Sequence, residues 1–359
     1  MKVLFIVPYP SEGASNRFRV EQYLPHLDSK GISYDIRPFF DTRFYKILYL
    51  KNNYIKKIVY FLKAVWRRIE DILRLHNYDL IFIHREACPL GPPIFEWLIY
   101  KTKKPIVFDF DDAIFLPNFN TVNRIYSFLK FPSKTKRITK MSSVVIVSNA
   151  FLEQYASKFN QHVHVIPTPV DVTKFVATKK DSKQITIGWI GSFTTSLYLP
   201  IIFNVMQELG RKYDFIFKII GAEKPIFIPG VKVENREWSL EKEVQNFQDI
   251  DIGIYPLPDT LWTQGKGAFK AIQYMSVAVP VVSSPVGMNR GLIQDGINGF
   301  LASSDEEWVE KISRLIEDPG LRHKIGLAGR RTIEEKFSVK VNAPRFLKIL
   351  TNNSTKRKL

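Results

Sequence analysis

Lys266 stands between Gly265 and Gly267 in the run WTQGKGAFKAIQYM, and Lys270 follows one turn later. The spacing predicts a helix beginning near Gly267, which puts both lysines at its N-terminus. The helix dipole already places partial positive charge there, so a cation is unfavourable unless an anion joins it. With a diphosphate bound, the amides of Gly267, Ala268 and Phe269 would point at it and Lys266 would neutralise it. Without one, these are two solvated lysines. A second run, IGWIGSFTTSLYLP, reads as strand, tight turn and helix. Gly191 allows close backbone approach to a ligand, and Ser192, Thr194 and Thr195 place hydroxyls and N–H groups at another helix start. The glycine spacing is not G-x-G-x-x-G, so a dinucleotide fingerprint is absent, and a plain capped turn explains this run equally well.

Acidic chemistry sits in the first half. PIVFDFDDAIF supplies Asp109, Asp111 and Asp112 after a strand. Asp109-Phe-Asp111 has the spacing of a D-x-D metal pair, a three-residue pattern of little specificity. Three acids in four residues need partners or a function, and Arg17, Arg19 and Arg85 are the candidate partners. Arg17 and Arg19, on a loop running into a helix, could also hold a phosphate or carboxylate. His84 ends another strand as a general base, a sugar contact or a satisfied core histidine. There is no Ser–His–Asp signature, P-loop, zinc spacing or kinase set.

These groups are carried by a regular alternation. KVLFIVPY, SYDIRPFF, YDLIFIHR, KPIVFDFDD, SSVVIVSN and HVHVIPTPV read as strands of a first half; ITIGWIGS, FIFKIIG, VKVENREW, IDIGIYPL, PVVSSPV and GFLAS repeat the rhythm. Helical periodicity fills the intervals. Continuously apolar strands are those of parallel sheets covered on both faces, so the expectation is an α/β chain of two doubly wound, Rossmann-like domains. The expected division is 1–168, a polar linker 169–184, 185–335, and a C-terminal helix with basic tail, 336–359. Ligands of such sheets bind at the carboxyl ends of the strands, here in a cleft between facing domains.

The 359 residues carry 52 Lys+Arg against 35 Asp+Glu. Residues 1–184 hold 29 against 16, so the excess belongs to the first half and asks for an anionic partner. Residues 43–75 read as one basic, aromatic helix with nine cations and two acids. Its apolar stripe is Tyr45, Leu48, Tyr49, Ile55, Val59, Leu62, Trp66, Ile69 and Leu73. Such a helix suits an anionic membrane interface or, equally, ordinary packing on a sheet. Asn123–Lys140 adds six cations and no acid. No nucleic-acid motif accompanies the charge. Cys88 is the single cysteine, which excludes internal disulfides and fits a reducing cytosol. The opening apolar run reads as a strand rather than a signal peptide, and no run is long enough to span a bilayer.

The chain resembles the GT-B fold sugar-nucleotide glycosyltransferases, and most of all the large retaining family 4. The resemblance runs essentially end to end. It is strongest over VSNAFLEQYASKF with VHVIPTPVDVTKF, over ITIGWIGS, and over GKGAFKAIQYMSVAVPVVSSPVGMNRGLIQDGINGFLA. It implies a nucleoside-diphosphate sugar on the second domain, with the diphosphate near Gly191, Ser192, Thr194, Lys266 and the amides of Gly267, Ala268 and Phe269. Lys270 would add charge, Gln273 would meet the ribose, and Trp238 would lie near the base. It also implies an acceptor on the first domain, met by Arg17, Arg19 and Arg85, and a C-terminal helix packing back on that domain. No metal or other cofactor is expected.

Two departures stand out. The family's acid pair, eight positions apart, is Gly265 and Gln273 here, and the usual Arg and Lys after the first strand of the second domain are missing from SFTTSLYLP. The family's His-Asp position near the reacting carbon maps onto FDFDD, with Asp111 as its candidate. The resulting expectation is retaining transfer of a sugar to a glycan or lipid-linked acceptor in surface-polysaccharide or glycolipid assembly. Lys266, Asp111 and His84 are the catalytic candidates, and the site of action is cytoplasmic, peripheral on the inner membrane face. An inverting transferase or nucleotide-sugar epimerase, or a non-catalytic membrane-associated binding protein, are the rival readings.

Overall fold

Apolar strands of four to six residues need cover on two faces, and the chain supplies it twice. In a computed structural model, which describes residues 1–48, 50, 52–116, 131, 133–178 and 184–354, two units form. One is Met1–Thr168 with Asn342–Leu359; the other is Pro169–Val341. Residues 169–178 thus pack with the second unit, where Phe175 is buried and Arg330 Nη2 donates to the Val172 carbonyl at 2.9 Å.

The first sheet contains β1 (Lys2–Val7), β2 (Ser33–Pro38), β3 (Leu80–His84), β4 (Ile106–Phe110), β5 (Val144–Val147) and β6 (Val163–Val165). Its order is β2-β1-β3-β4-β5-β6, all parallel. The central strands β3, β4 and β5 are buried along their whole length, while the edge strands β2 and β6 are not. Strand order reverses between β1 and β3, which is where ligands gather in open parallel sheets.

The second sheet contains β7 (Ile185–Ile190), β8 (Phe215–Ile220), β9 (Lys232–Arg236), β10 (Ile252–Tyr255), β11 (Val281–Ser283) and β12 (Phe300–Leu301). The order β12-β11-β10-β7-β8-β9 is again all parallel. Its reversal lies between β7 and β10. All twelve strands fall within the runs expected from the sequence. The second core gathers Trp189, Phe217, Ile254, Trp308 and Ile312.

Two expectations change. Residues 43–75 are two helices, Thr42–Leu48 and Tyr54–Leu73, because Asn52 and Asn53 take left-handed backbone (φ 73° and 63°) between them. Tyr49, counted in the stripe, lies outside the described residues. So do Arg124 and Lys130 of the second basic segment, residues 179–183 of the expected linker, and the tail from 355. Within the second basic segment, Lys134 is buried, with Nζ on the Cys88 carbonyl and 3.1 Å from Glu86, so it is not a surface cation. As expected, the last helix, Val339–Ser354, packs on the first unit, through its residues from Asn342. There Phe346 stacks on Tyr23 at 4.2 Å and meets Phe82 edge-on at 5.5 Å.

Candidate active site

The second unit builds its candidate site at its strand reversal. After β7 the chain turns at Gly191. A Cβ there would lie 2.2 Å from the Trp189 ring and 2.6 Å from Thr195 Oγ1, so only glycine fits. Gly221, after β8, has φ 83° and lies so close to the Gly191 carbonyl that a Cβ would sit 2.4 Å from its oxygen. The same Cβ would be 3.4 Å from Trp238 Cβ. Gly191, Gly221 and Trp238 therefore form one wall, and the half-buried Trp238 reaches the glycine turn although 47 positions separate it from Gly191 in the sequence.

The helix after Gly191 is a single turn, Phe193–Ser196. Ser192 and Thr195 close a capping box on each other, and Ser192 Oγ contacts Thr194 Oγ1 at 2.9 Å. The hydroxyls expected to receive an anion thus already serve the turn, as the capped-turn reading has it.

The loop after β10 differs. Thr260 caps the short helix Leu261–Gln264, and Gly265 ends it. The next helix begins at Phe269, two residues later than expected, with Ala268 as N-cap in left-handed backbone (φ 53°). That conformation is uncommon for a residue with a side chain. Among the described residues the amides of Gly267 and Ala268 take no hydrogen bond. Lys266 is half-buried, has no carboxylate partner among the described residues, and lies 6.0 Å from the Trp262 ring centroid. Lys270 is different: its Nζ donates to Gln273 Oε1 at 2.9 Å and lies over the Phe247 ring at 5.4 Å. Gln273 is fully buried, with no partner for its Nε2. A buried, unbonded amide nitrogen is costly and is suited to receive an oxygen from a ligand.

The first unit brings its acids and cations together at the carboxyl ends of β3 and β4. His84 and Asp109 are register partners across those strands, and His84 Nδ1 donates to Asp109 Oδ2 at 2.7 Å. Arg19 Nε donates to the same oxygen at 3.1 Å, and its Nη2 pairs with Oδ1. Burial disfavours the Asp109 carboxylate, but the Arg19 guanidinium and the His84 hydrogen bond outweigh it and hold the carboxyl below the usual range. Both Asp109 oxygens are therefore engaged within the protein. Of the two roles open to Arg19, partner of the acids is the one observed: it is 2% exposed, with Nη1 on the Ile166 carbonyl at 2.8 Å, and is not presented to an acceptor. Arg17 lies outside the acid cluster, donating to the carbonyls of Ser11 (2.8 Å) and Glu12 (3.1 Å).

Arg85 takes left-handed backbone (φ 60°). Its N–H donates to the Asp109 carbonyl at 2.7 Å, and its guanidinium bridges Asp111 and Asp112, each at 2.8 Å. Asp111 is opposed by burial, yet Arg85, then His84 and Arg19, hold its carboxyl far below the usual range. Ser148 fixes the Asp111 carbonyl at 3.0 Å. His84 Nε2 is buried without a hydrogen-bond partner and lies 4.0 Å from Asp111 Oδ1.

Residues 258–332, which contain the Lys266 loop and its helix, match the family model described as glycosyl transferases group 1. Over nearly its full length the fold superposes on solved glycosyltransferases. A glycosyltransferase from Rickettsia africae is 17% identical, with TM-score 0.70 and 99% of each chain covered. Anabaena HepE, solved with UDP-glucose, is 15% identical at TM-score 0.68, covering 98% of this chain and 100% of that one. Sucrose-phosphate synthase from Thermosynechococcus elongatus is 13% identical at 0.68, with 98% of each covered. The chain has the GT-B glycosyltransferase fold. No curated protein sequence matches it.

Within this GT-B chain, the group 1 segment begins immediately beyond β10, at the strand reversal. The His84–Asp109 pair was not foreseen as a pair, since its members are 25 positions apart and only the β3–β4 register joins them.

Proposed function

We propose that this GT-B chain transfers a sugar from a nucleoside-diphosphate-sugar donor, with retention, to a glycan or lipid-linked acceptor. The observation that carries the reading is Lys266: a half-buried cation without a carboxylate partner among the described residues, beside two unbonded amides at the strand reversal of the second sheet. As the glycosidic bond loosens, negative charge grows on the departing diphosphate. Lys266 and the amides of Gly267 and Ala268 sit where that charge would be received, without reorganisation. Gln273 Nε2 gives a ribose oxygen a donor, and the wall of Gly191, Gly221 and Trp238 gives the base a flat contact. The solved structures of HepE with UDP and with UDP-glucose support a nucleotide-sugar as the donor class.

Neither member of the family's acid pair is present, and retention needs no paired base if the departing phosphate oxygen takes the acceptor proton. Asp111, held ionised by Arg85, is then suited to orient a sugar hydroxyl and is a weak proton acceptor. One observation favours a second reading, inverting transfer. His84 Nδ1 is held by Asp109, while its buried Nε2 has no hydrogen-bond partner and faces Asp111 at 4.0 Å. A panel of nucleoside-diphosphate sugars, scored first for thermal stabilisation and then for transfer, tests the function. The anomeric configuration of the product, read by NMR coupling, separates the two readings: retention supports the first, and inversion supports the second, with His84 or Asp111 as its base.

A further inference from the structure

Helix Tyr54–Leu73 is apolar on two sides: inward, Phe61, Ala64 and Val65 pack with Phe39, Phe40 and Phe44. Its buried residues are Ala64, Arg68 and Asp71. Arg68 is held from three directions, by the Ala87 carbonyl (3.0 Å), Asp71 (2.9 Å) and the Arg37 carbonyl (3.2 Å). On the other side Ile55, Val59, Leu62, Trp66, Ile69 and Leu73 recur at alternating spacings of four and three, and every one is exposed. Exposure runs from 39% at Ile69 to 80% at Ile55. A single exposed leucine is ordinary, but a continuous stripe of this length marks a surface meant to be covered.

Helical spacing puts Lys56, Lys63 and Arg74 in a row along one flank of that stripe. All three are exposed and none pairs with a carboxylate among the described residues. The neighbouring helix, Ile94–Lys101, packs against this one and leaves Ile94, Trp97 and Tyr100 exposed. An open groove of about 340 Å³ follows, walled by Pro93, Ile94, Trp97 and Met141, with Arg137 and Lys140 on it.

We propose that this face of the first unit lies flat on an anionic lipid bilayer. The Ile55–Leu73 stripe would sit at the headgroup–acyl boundary, with Lys56, Lys63, Arg74, Arg137 and Lys140 on lipid phosphates. Charge complementarity selects this occupant over a second copy of the chain. A dimer through the stripe would need acids opposite the cation row, and Glu70 is the helix's one acid apart from the buried Asp71. The first 184 residues carry 29 cations against 16 acids, so a second copy brings more of the same charge, whereas anionic headgroups supply the opposite one. Among the described residues no helix is long and apolar enough to cross a membrane, so attachment would be interfacial. The inference is independent of the sugar chemistry proposed above.

Co-flotation of the full chain with vesicles tests it, using phosphatidylcholine alone and phosphatidylcholine with about one third phosphatidylglycerol. Binding to the anionic vesicles at low salt, and its weakening in salt, is expected. Lys56→Gln/Lys63→Gln/Arg74→Gln should weaken partitioning by on the order of a hundredfold, and Leu62→Ser/Trp66→Ser should abolish it. Unchanged circular dichroism and thermal melting would show that these exposed substitutions leave the fold intact. A blue shift of tryptophan emission on anionic vesicles, lost in Trp66→Phe, would place Trp66 in lipid. No flotation, equal binding to neutral vesicles, or a solution dimer that Leu62→Ser/Trp66→Ser dissociates would each overturn the proposal.

Discussion

His84 and Asp109 face each other in register across β3 and β4, with Nδ1 2.7 Å from Oδ2. Arg19 completes the cluster on the same carboxylate, and neither Arg19 nor Asp109 is more than 2% exposed. Removing one member leaves an uncompensated buried charge. Asp109→Ala and Arg19→Ala should each destabilise by about 3–5 kcal/mol. The double variant should lose clearly less than the sum, because the two act on one interaction. Urea unfolding of the four proteins checks this, and additive losses would contradict the coupling.

The same cluster sets an acid limit. Asp109 and Asp111 both titrate below their ordinary value in the folded chain, since Arg19 and Arg85 outweigh the effect of burial. A depressed folded pKa gives stability that is fully present above the unfolded value of about 3.9 and lost as pH falls through the folded value. Unfolding midpoints should therefore hold between neutral pH and about pH 5 and fall below about pH 4. In Asp111→Asn that decline should be shallower.

Gly221 meets two constraints at once, its φ of 83° and the Gly191 carbonyl against its Cα. Gly221→Ala should cost about 1–3 kcal/mol and displace Gly191 with it. Thermal melting checks the first part. Reduced nucleotide affinity in the folded fraction checks the second.

Gln273 separates stability from binding. Its Nε2 is buried and unbonded, so Gln273→Leu should change stability by less than about 1.5 kcal/mol while weakening nucleoside-diphosphate affinity about tenfold. Calorimetric titration with UDP and GDP measures the second quantity. Unchanged affinity for both, with the fold intact, would remove Gln273 from the site.

Much of the fold was legible because β1, β3, β4, β5 and β7 are nearly continuous apolar runs, which only doubly covered parallel strands require. The Lys266 loop drew attention because glycines and lysines conflict with an empty helix start, although the helix itself begins only at Phe269. Three features were not. The His84–Asp109 bond depends on strand register, which periodicity does not specify. Arg19 was legible as a partner for the acids, but not which of the three it joins, 90 positions away. For residues 54–73, periodicity revealed an apolar stripe but not its direction. The inward side is set by Phe61, Ala64 and Val65 on the Phe39, Phe40 and Phe44 rings, and by Arg68, which bonds Asp71 and the Ala87 and Arg37 carbonyls.

Lys266 is proposed to receive charge from a departing nucleoside diphosphate. Its most direct test is turnover of the donor that best stabilises the chain, by wild type and Lys266→Ala side by side, with release of nucleoside diphosphate as the signal. Turnover by wild type and a loss of about a hundredfold or more in the variant are expected. Equal rates in the two folded proteins would contradict this role.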